Sequence, residues 1–284
     1  MYVPRKSLLN LENDNVAKPK RKPPSPFKKK HGVAGASALL IVLLLIALLL
    51  NKSDPQNQAP DAEKDSHDLN QLWTWSHSLL AGGAEAADWM IRWDAVLQPD
   101  SSFSQLAAKL YANEKGEATE KFVTNEGKTI KGPFPATWDG SLSMHETETT
   151  DQGVAVIVLL ETDQGIVSKE ELLESTESIA AILAQHSSDW KITLKSYGFA
   201  KSADAAKELE RITMGRVMEQ YEDGGTRSVT LLTDKLLASQ SLDGYRHANL
   251  QVAEHRNTEN DRMEVTIGVP LITGDFSDVD AGAE

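Results

Sequence analysis

Residues 32–50 run for nineteen positions without a charge, opening Gly-Val-Ala-Gly-Ala-Ser-Ala and continuing as a nearly pure Leu/Ile/Val stretch. At about 1.5 Å per helical residue this segment covers roughly the 30 Å hydrocarbon core of a bilayer, so it predicts a transmembrane helix. It divides the chain into a short arm and a long remainder. Lys18, Lys20, Arg21, Lys22, Lys28, Lys29 and Lys30 crowd its N-terminal flank, whereas the C-terminal flank offers Lys52 ahead of Asp54. That asymmetry predicts a cytoplasmic N-terminus and a folded portion on the far side of the membrane. A cleaved signal peptide is the competing reading. The 31-residue leader, and the lack of a small-x-small site before Asn51 and Lys52, favour an uncleaved anchor.

Charge separates the same parts. Residues 1–31 hold nine Lys/Arg against Glu12 and Asp14, while residues 51–284 hold 20 Lys/Arg against 40 Asp/Glu, a balance of −20. The arm, with Pro4, Pro19, Pro23, Pro24 and Pro26 among its lysines, has too little apolar surface to offset ordering entropy and is expected to be disordered. Residues 51–64 read as a tether, 65–276 as an extracytoplasmic domain and 277–284 as an acidic tail. The absence of cysteine excludes disulfides, thiol catalysis, cysteine-ligated metal and a lipidated cysteine as an alternative anchor.

Within the domain, Leu69, Leu72, Trp73, Ser76, Leu79 and Leu80 lie at helical spacing and predict an amphipathic helix ending at Gly82-Gly83. Two segments then share one pattern. Asp88-Trp89-Met90-Ile91-Arg92-Trp93 and Asp189-Trp190-Lys191-Ile192-Thr193-Leu194 both open Asp-Trp and alternate apolar residues as strands do. Each leads into a serine-opened helix, Ser101/Ser102 before Phe103 and Ser202 before Ala205, and each helix is followed by four strand-like segments, those of the second half being 216–222, 228–233, 245–256 and 263–272, with Asp223-Gly224-Gly225 as a hairpin turn between the first two. Ser168-Lys169-Glu170-Glu171 is a capping box for a connecting helix over 168–187. Residues 154–160 are apolar on both faces and predict a buried central strand. The expected fold is therefore α+β: one antiparallel sheet from tandem repeats over about 88–165 and 189–274, with helices on one face.

The end of the second repeat, Asn249-Leu250-Gln251-Val252-Ala253-Glu254-His255-Arg256 and Val265-Thr266-Ile267-Gly268-Val269-Pro270-Leu271-Ile272-Thr273-Gly274, resembles the closing motif of the YwmB-like family. Leu72-Trp73-Thr74-Trp75-Ser76-His77 with the Asp88-Trp89 strand is similar to the opening of some members. The resemblance implies an exported or anchored protein of spore-forming bacteria with a fold like the TATA-box-binding protein. It implies no catalytic or binding residues.

Motifs for chemistry are missing. His31, His67, His77, His145, His186, His247 and His255 form no metal-binding spacing, and no nucleophile elbow, phosphate loop or dinucleotide fingerprint occurs, so neither a cofactor nor a metal is expected. Glu146/Glu148, Glu161/Asp163 and Glu170/Glu171 are carboxylate pairs that could serve an envelope hydrolase, but chance proximity accounts for them. Nucleic acid, suggested by the fold resemblance, is a poor partner for a domain at −20 beyond a membrane. What remains is a non-enzymatic, single-pass envelope module binding a protein or polymer. Opposite the Trp89/Ile91 and Trp190/Ile192 face, alternation places Arg92, Lys191, Lys195 and Tyr197. Asn249, Gln251, His247 and His255 oppose Ala248, Leu250 and Val252 in the same way. Together these define a candidate polar binding face with some positive charge, the competing reading being an ordinary solvated sheet face.

Overall fold

The computed structural model describes residues 62–272 except 114, 135–137, 151–152, 163–165 and 259, with 62 and 148–150 described by their backbone alone. The basic arm, the apolar segment 32–50, residues 51–61 and the acidic tail lie outside the described residues, and no helix among those described is long and apolar enough to cross a membrane.

In chain order the elements are α1 (Ala62–Leu79), β1 (Asp88–Leu97), α2 (Phe103–Leu110), β2 (Phe122–Thr124), β3 (Thr129–Pro133), β4 (Gly140–Thr150), β5 (Gly153–Thr162), α3 (Lys169–Leu183), β6 (Ser187–Phe199), α4 (Ala205–Thr213), β7 (Arg216–Asp223), β8 (Thr226–Leu232), β9 (Gln240–Ser241), β10 (His247–Ala248), β11 (Leu250–Arg256) and β12 (Met263–Val269). Ten strands form one antiparallel sheet in the order β2-β3-β4-β5-β1-β6-β12-β11-β8-β7, and β9 and β10 form a separate ribbon. The two Asp-Trp strands, β1 and β6, pair antiparallel at the centre. Moving outward from either, the next strand is the last of its half, followed by the earlier ones in reverse order.

Alternation in β1 decides which side of the sheet is covered. Trp89, Ile91, Trp93, Ala95 and Leu97 are buried, and the helices lie over them. Trp73 of α1 stacks on Trp89 with ring centroids 5.2 Å apart and planes 10° apart, while Trp89 Nε1 donates to the Ala84 carbonyl. Offset aromatic stacking of this kind adds to the area it buries. Helix α1 packs against α3, α4, β6 and β12, and Ser76 meets Ser196 of β6 at 2.6 Å inside this core.

Local chemistry sets the ends of the elements. Ser102 and Ser168 each close a capping box, with Gln105 and Glu171, and so satisfy the first free N–H groups of α2 and α3. Gly224 and Gly225, both at positive φ, make the two-residue turn that joins β7 to β8. At the start of β5, Gly153 has φ +133°, and a Cβ there would lie 2.3 Å from the Leu97 carbonyl oxygen, so the close approach of β5 to β1 requires glycine.

The structure departs from the sequence expectations at four points. Helix α1 begins at Ala62, within the stretch read as tether. Asp204, not Ser202, caps α4 by accepting from Lys207 N, and it is held there by Arg227 of β8 at 3.0 Å. The segment 245–256 is not one strand: Asn249 separates β10 from β11. Finally, β5 is interior to the sheet, but only Val156, Val158 and Leu160 are fully buried, whereas Ala155, Ile157 and Leu159 are half-buried on a face that no helix covers.

Candidate functional site: the uncovered face of the sheet

The ladder fixes what this face displays. Across β1 and β6 the facing pairs are Asp88 with Tyr197, Met90 with Lys195, Arg92 with Thr193 and Asp94 with Lys191. On the other side of β1, Met90 faces Glu161, Arg92 faces Leu159, Asp94 faces Ile157 and Val96 faces Ala155 of β5. Strand β12 adds Glu264, Thr266 and Gly268 beside Phe199, Tyr197 and Lys195, and β11 adds Gln251 and His255. These side chains alternate with the buried row along each strand, so they share one surface by the period of two.

Of the eight residues read from the sequence as this face, six come together here: Arg92, Lys191, Lys195, Tyr197, Gln251 and His255. Asn249 does not. It is 3% exposed, its Oδ1 accepts from Thr233 N and its Nδ2 donates to Thr233 O. The amide thus substitutes for a ladder pair where the strand breaks. His247 lies on the β9–β10 ribbon opposite Ser241, outside the ten-stranded ladder. Alternation was carried across a break that only the Thr233 contact, sixteen residues away, creates.

Nor is the face positively charged. The Arg92 guanidinium is held by Asp94 through Nε and Nη2 at 2.6 to 3.1 Å. Tyr197 is pushed up to about 12, first by burial and then by the neighbouring Glu264 carboxylate, so it stays a neutral hydroxyl at any physiological pH. His145 of β4, opposite Ile157, is lowered first by burial and then by the Arg92 charge, which favours the neutral ring. On β3, β5, β1, β12 and the 191–199 part of β6, Arg92, Lys131, Lys191 and Lys195 interleave with Asp88, Asp94, Glu161 and Glu264. On those strands four cations meet four acids, and the edge strand β7 adds Glu219 and Asp223 against Arg216.

The centre of the face is apolar: Met90, Ala155, Ile157 and Leu159 are half-buried, and Val96 is 40% exposed. Sequence reasoning assigned β5 to the interior and missed this patch. Its signal was present, since a strand apolar on both faces in an antiparallel sheet needs something on each side. Beside the patch the polypeptide returns onto the same face: Ile272 N donates to Gln251 Oε1, and Ile272 lies directly over Gly268.

Elsewhere the polar groups are structural. Glu254 is buried on the helix-covered face, accepts from Ala206 N at the start of α4 and lies 3.6 Å from Arg227. Asp68, 1% exposed, accepts from Leu237 N and Ala238 N and ties that loop to α1. A broad groove of about 950 Å³ beside α4 is lined by Lys201, Asp204, Lys207, Glu208, Arg211 and Met214, but Arg211 is engaged by Glu208 and Asp204 by Arg227. Among the carboxylates paired in sequence, Glu171 is occupied by its capping box and Glu146 lies 3.8 Å from Lys128. No group of three or more His, Asp or Glu among the described residues could hold a metal ion. No protein-family model and no curated protein sequence matches the chain.

Proposed function

We propose that the chain is a membrane-anchored, extracytoplasmic, non-enzymatic interaction module of the bacterial cell envelope, binding through the uncovered face of its sheet. The observation that carries the reading is the combination of an apolar centre with a surround of mixed charge on the one face that no helix covers. Contiguous exposed apolar surface rimmed by polar groups is characteristic of interaction sites. The basic flank and uncharged run of residues 18–50 support an anchor with the domain outside. The symmetric strand order about the β1–β6 pair supports a tandem duplication like that of the TATA-box-binding protein, and with it the YwmB-like resemblance.

Charge argues against nucleic acid on this fold. A duplex-binding sheet needs several uncompensated Lys or Arg, whereas here Arg92 is neutralised by Asp94 and acids stand among the remaining cations. The test is a photo-crosslinking amino acid at Ile157 of the full-length protein in intact cells. The proposal expects an adduct that Leu159→Glu abolishes while circular dichroism remains unchanged. If Ile157 crosslinks nothing, or the adduct is indifferent to Leu159→Glu, the face is only a solvated surface.

A further inference from the structure

We propose that the outer edge of β6 beside Trp190 and Ile192 is a docking site for an extended segment of a partner protein, which adds to the sheet as a strand in line with β12. This second site lies at a strand edge and stands whether or not the uncovered face binds anything. Three observations carry it.

The first is a difference between the two halves of the sheet. Setting Trp89, Ile91 and Trp93 of β1 against Trp190, Ile192 and Leu194 of β6 puts Val158, opposite Trp93, in the place of Val269, opposite Leu194. In the first half β5 runs on from Val158, with Leu159 facing Arg92, Leu160 facing Ile91 and Glu161 facing Met90. In the second half the ladder stops at Val269. Pro270 has no N–H to give it, and Ile272 leaves the line of the strand to donate to Gln251 and lie over Gly268. From Thr193 back to its start, β6 therefore pairs on one side, with β1.

The second is the direction of the backbone groups. Ala200 N donates to Met263 O on the β12 side, whereas Phe199 O accepts from Ala81 N on the other. Alternation along an antiparallel strand then aims the N–H and C=O of Ile192 and Trp190 at the open edge, and those of Lys191 and Thr193 at β1. Among the described residues, nothing hydrogen-bonds with the edge-facing groups of Ile192 and Trp190. Two donors and two acceptors at strand spacing match one extended chain. The outermost strands of the sheet are guarded against such pairing: β7 carries Arg216, Glu219, Glu222 and Asp223 with a register shift after Val217, and β2 is three residues long. Between Trp190 and Thr193 the β6 edge carries one charge, Lys191.

The third is the chemistry beside that edge. Trp190 and Ile192 are half-buried toward the helices, with Trp190 Nε1 3.4 Å from Asp65 of α1, while Lys191 is exposed on the opposite side of the strand. The acid facing Lys191 across the ladder, Asp94, is held by Arg92. The segment that fits is apolar opposite Ile192 and Trp190 and acidic opposite Lys191.

The test is amide hydrogen exchange, resolved residue by residue, on the full-length protein in detergent. In the protein alone, the Trp190 and Ile192 amides are expected to exchange about tenfold or more faster than those of Lys191 and Thr193, which are bonded to β1. The probe is the end-blocked peptide Ser-Val-Glu-Val-Glu-Val-Ser at millimolar concentration. It should slow Trp190 and Ile192 together and leave Lys191 and Thr193 unchanged. N-methylation of its valines, whose N–H groups would face β6, should abolish the effect. Lys191→Glu should weaken binding about threefold, and a peptide with lysine in place of glutamate should recover it. Slow exchange at Trp190 and Ile192 in the protein alone means that the edge is already paired, by residues 273–284 or by a second copy, and overturns the proposal. Fast exchange that the peptide leaves unchanged overturns it too, as does slowing that the N-methylated peptide reproduces or that is indifferent to Lys191→Glu.

Discussion

Asp68 is a buried carboxylate that accepts from two backbone donors, Leu237 N and Ala238 N, each at 2.8 Å. Replacing it with alanine leaves both N–H groups without their acceptor and releases the loop that carries the buried Leu236. Hydrogen bonds to a charged acceptor contribute about 1.5–3 kcal/mol each; two of them, less the desolvation cost that the carboxylate no longer bears, give a net loss of about 2–3 kcal/mol. The carboxyl is raised above its ordinary 3.8, first by burial, with the two backbone donors pulling the other way. The sign follows from linkage. Because the folded state holds this proton more tightly than the unfolded chain, the Asp68 contribution falls as pH rises from about 3.8 through the folded-state value and is flat above it. Asp68→Asn, which keeps one acceptor and cannot ionise, should therefore lose more stability relative to wild type near pH 4 than at pH 7. Urea unfolding of wild type, Asp68→Ala and Asp68→Asn between pH 4 and 7, followed by tryptophan fluorescence, measures all of this. An alanine variant within about 0.5 kcal/mol of wild type, the size of an ordinary surface substitution, would show that water replaces the clamp. A wild-type minus asparagine difference that grows with pH would refute the burial argument.

Three further outcomes follow from the packing. Trp73→Ala removes the ring stacked on Trp89 and should cost about 3–5 kcal/mol in chemical denaturation, as large-to-small core substitutions of aromatics do. Glu254→Ala strands the Ala206 N–H at the start of α4 and removes an acid beside Arg227; a loss of about 2–3 kcal/mol is expected, with Glu254→Gln milder because its carbonyl can still accept. Gly153→Ala forces a Cβ against the Leu97 carbonyl at a backbone angle that disfavours side chains, so its melting temperature should fall by several degrees, whereas Gly116→Ala, with open space around it, should fall less.

Much of the fold was legible because the signals were local. The Asp-Trp alternation, the Ser168 and Ser102 caps, and the Asp223-Gly224-Gly225 turn each operate within a few residues, and the structure uses each as its spacing implies. What could not be read depended on distant contacts. Ser202 and Asp204 are both good caps, and it is Asp204 that also meets Arg227, on a strand 23 residues away. Asn249 breaks a strand that periodicity alone would continue, because its amide closes on Thr233. The candidate face was half legible: alternation put Arg92, Lys191, Lys195 and Tyr197 on one side of the sheet, but it could not report that β5 and β12 would bring Glu161 and Glu264 beside them. The balance of charge on the face, and with it the kind of partner it suits, is a property of strand order.

The central claim is that a folded, acidic domain stands outside the membrane on an N-terminal anchor. The native absence of cysteine allows single cysteines at Ser7→Cys, Ser53→Cys and Ser277→Cys to be probed on intact cells with a thiol reagent that passes the wall but not the membrane. The account predicts labelling of the 53 and 277 variants and protection of the 7 variant until the membrane is opened. Labelling of the 7 variant alone would contradict it, placing the sheet in the cytoplasm and reversing the orientation on which the proposed function rests.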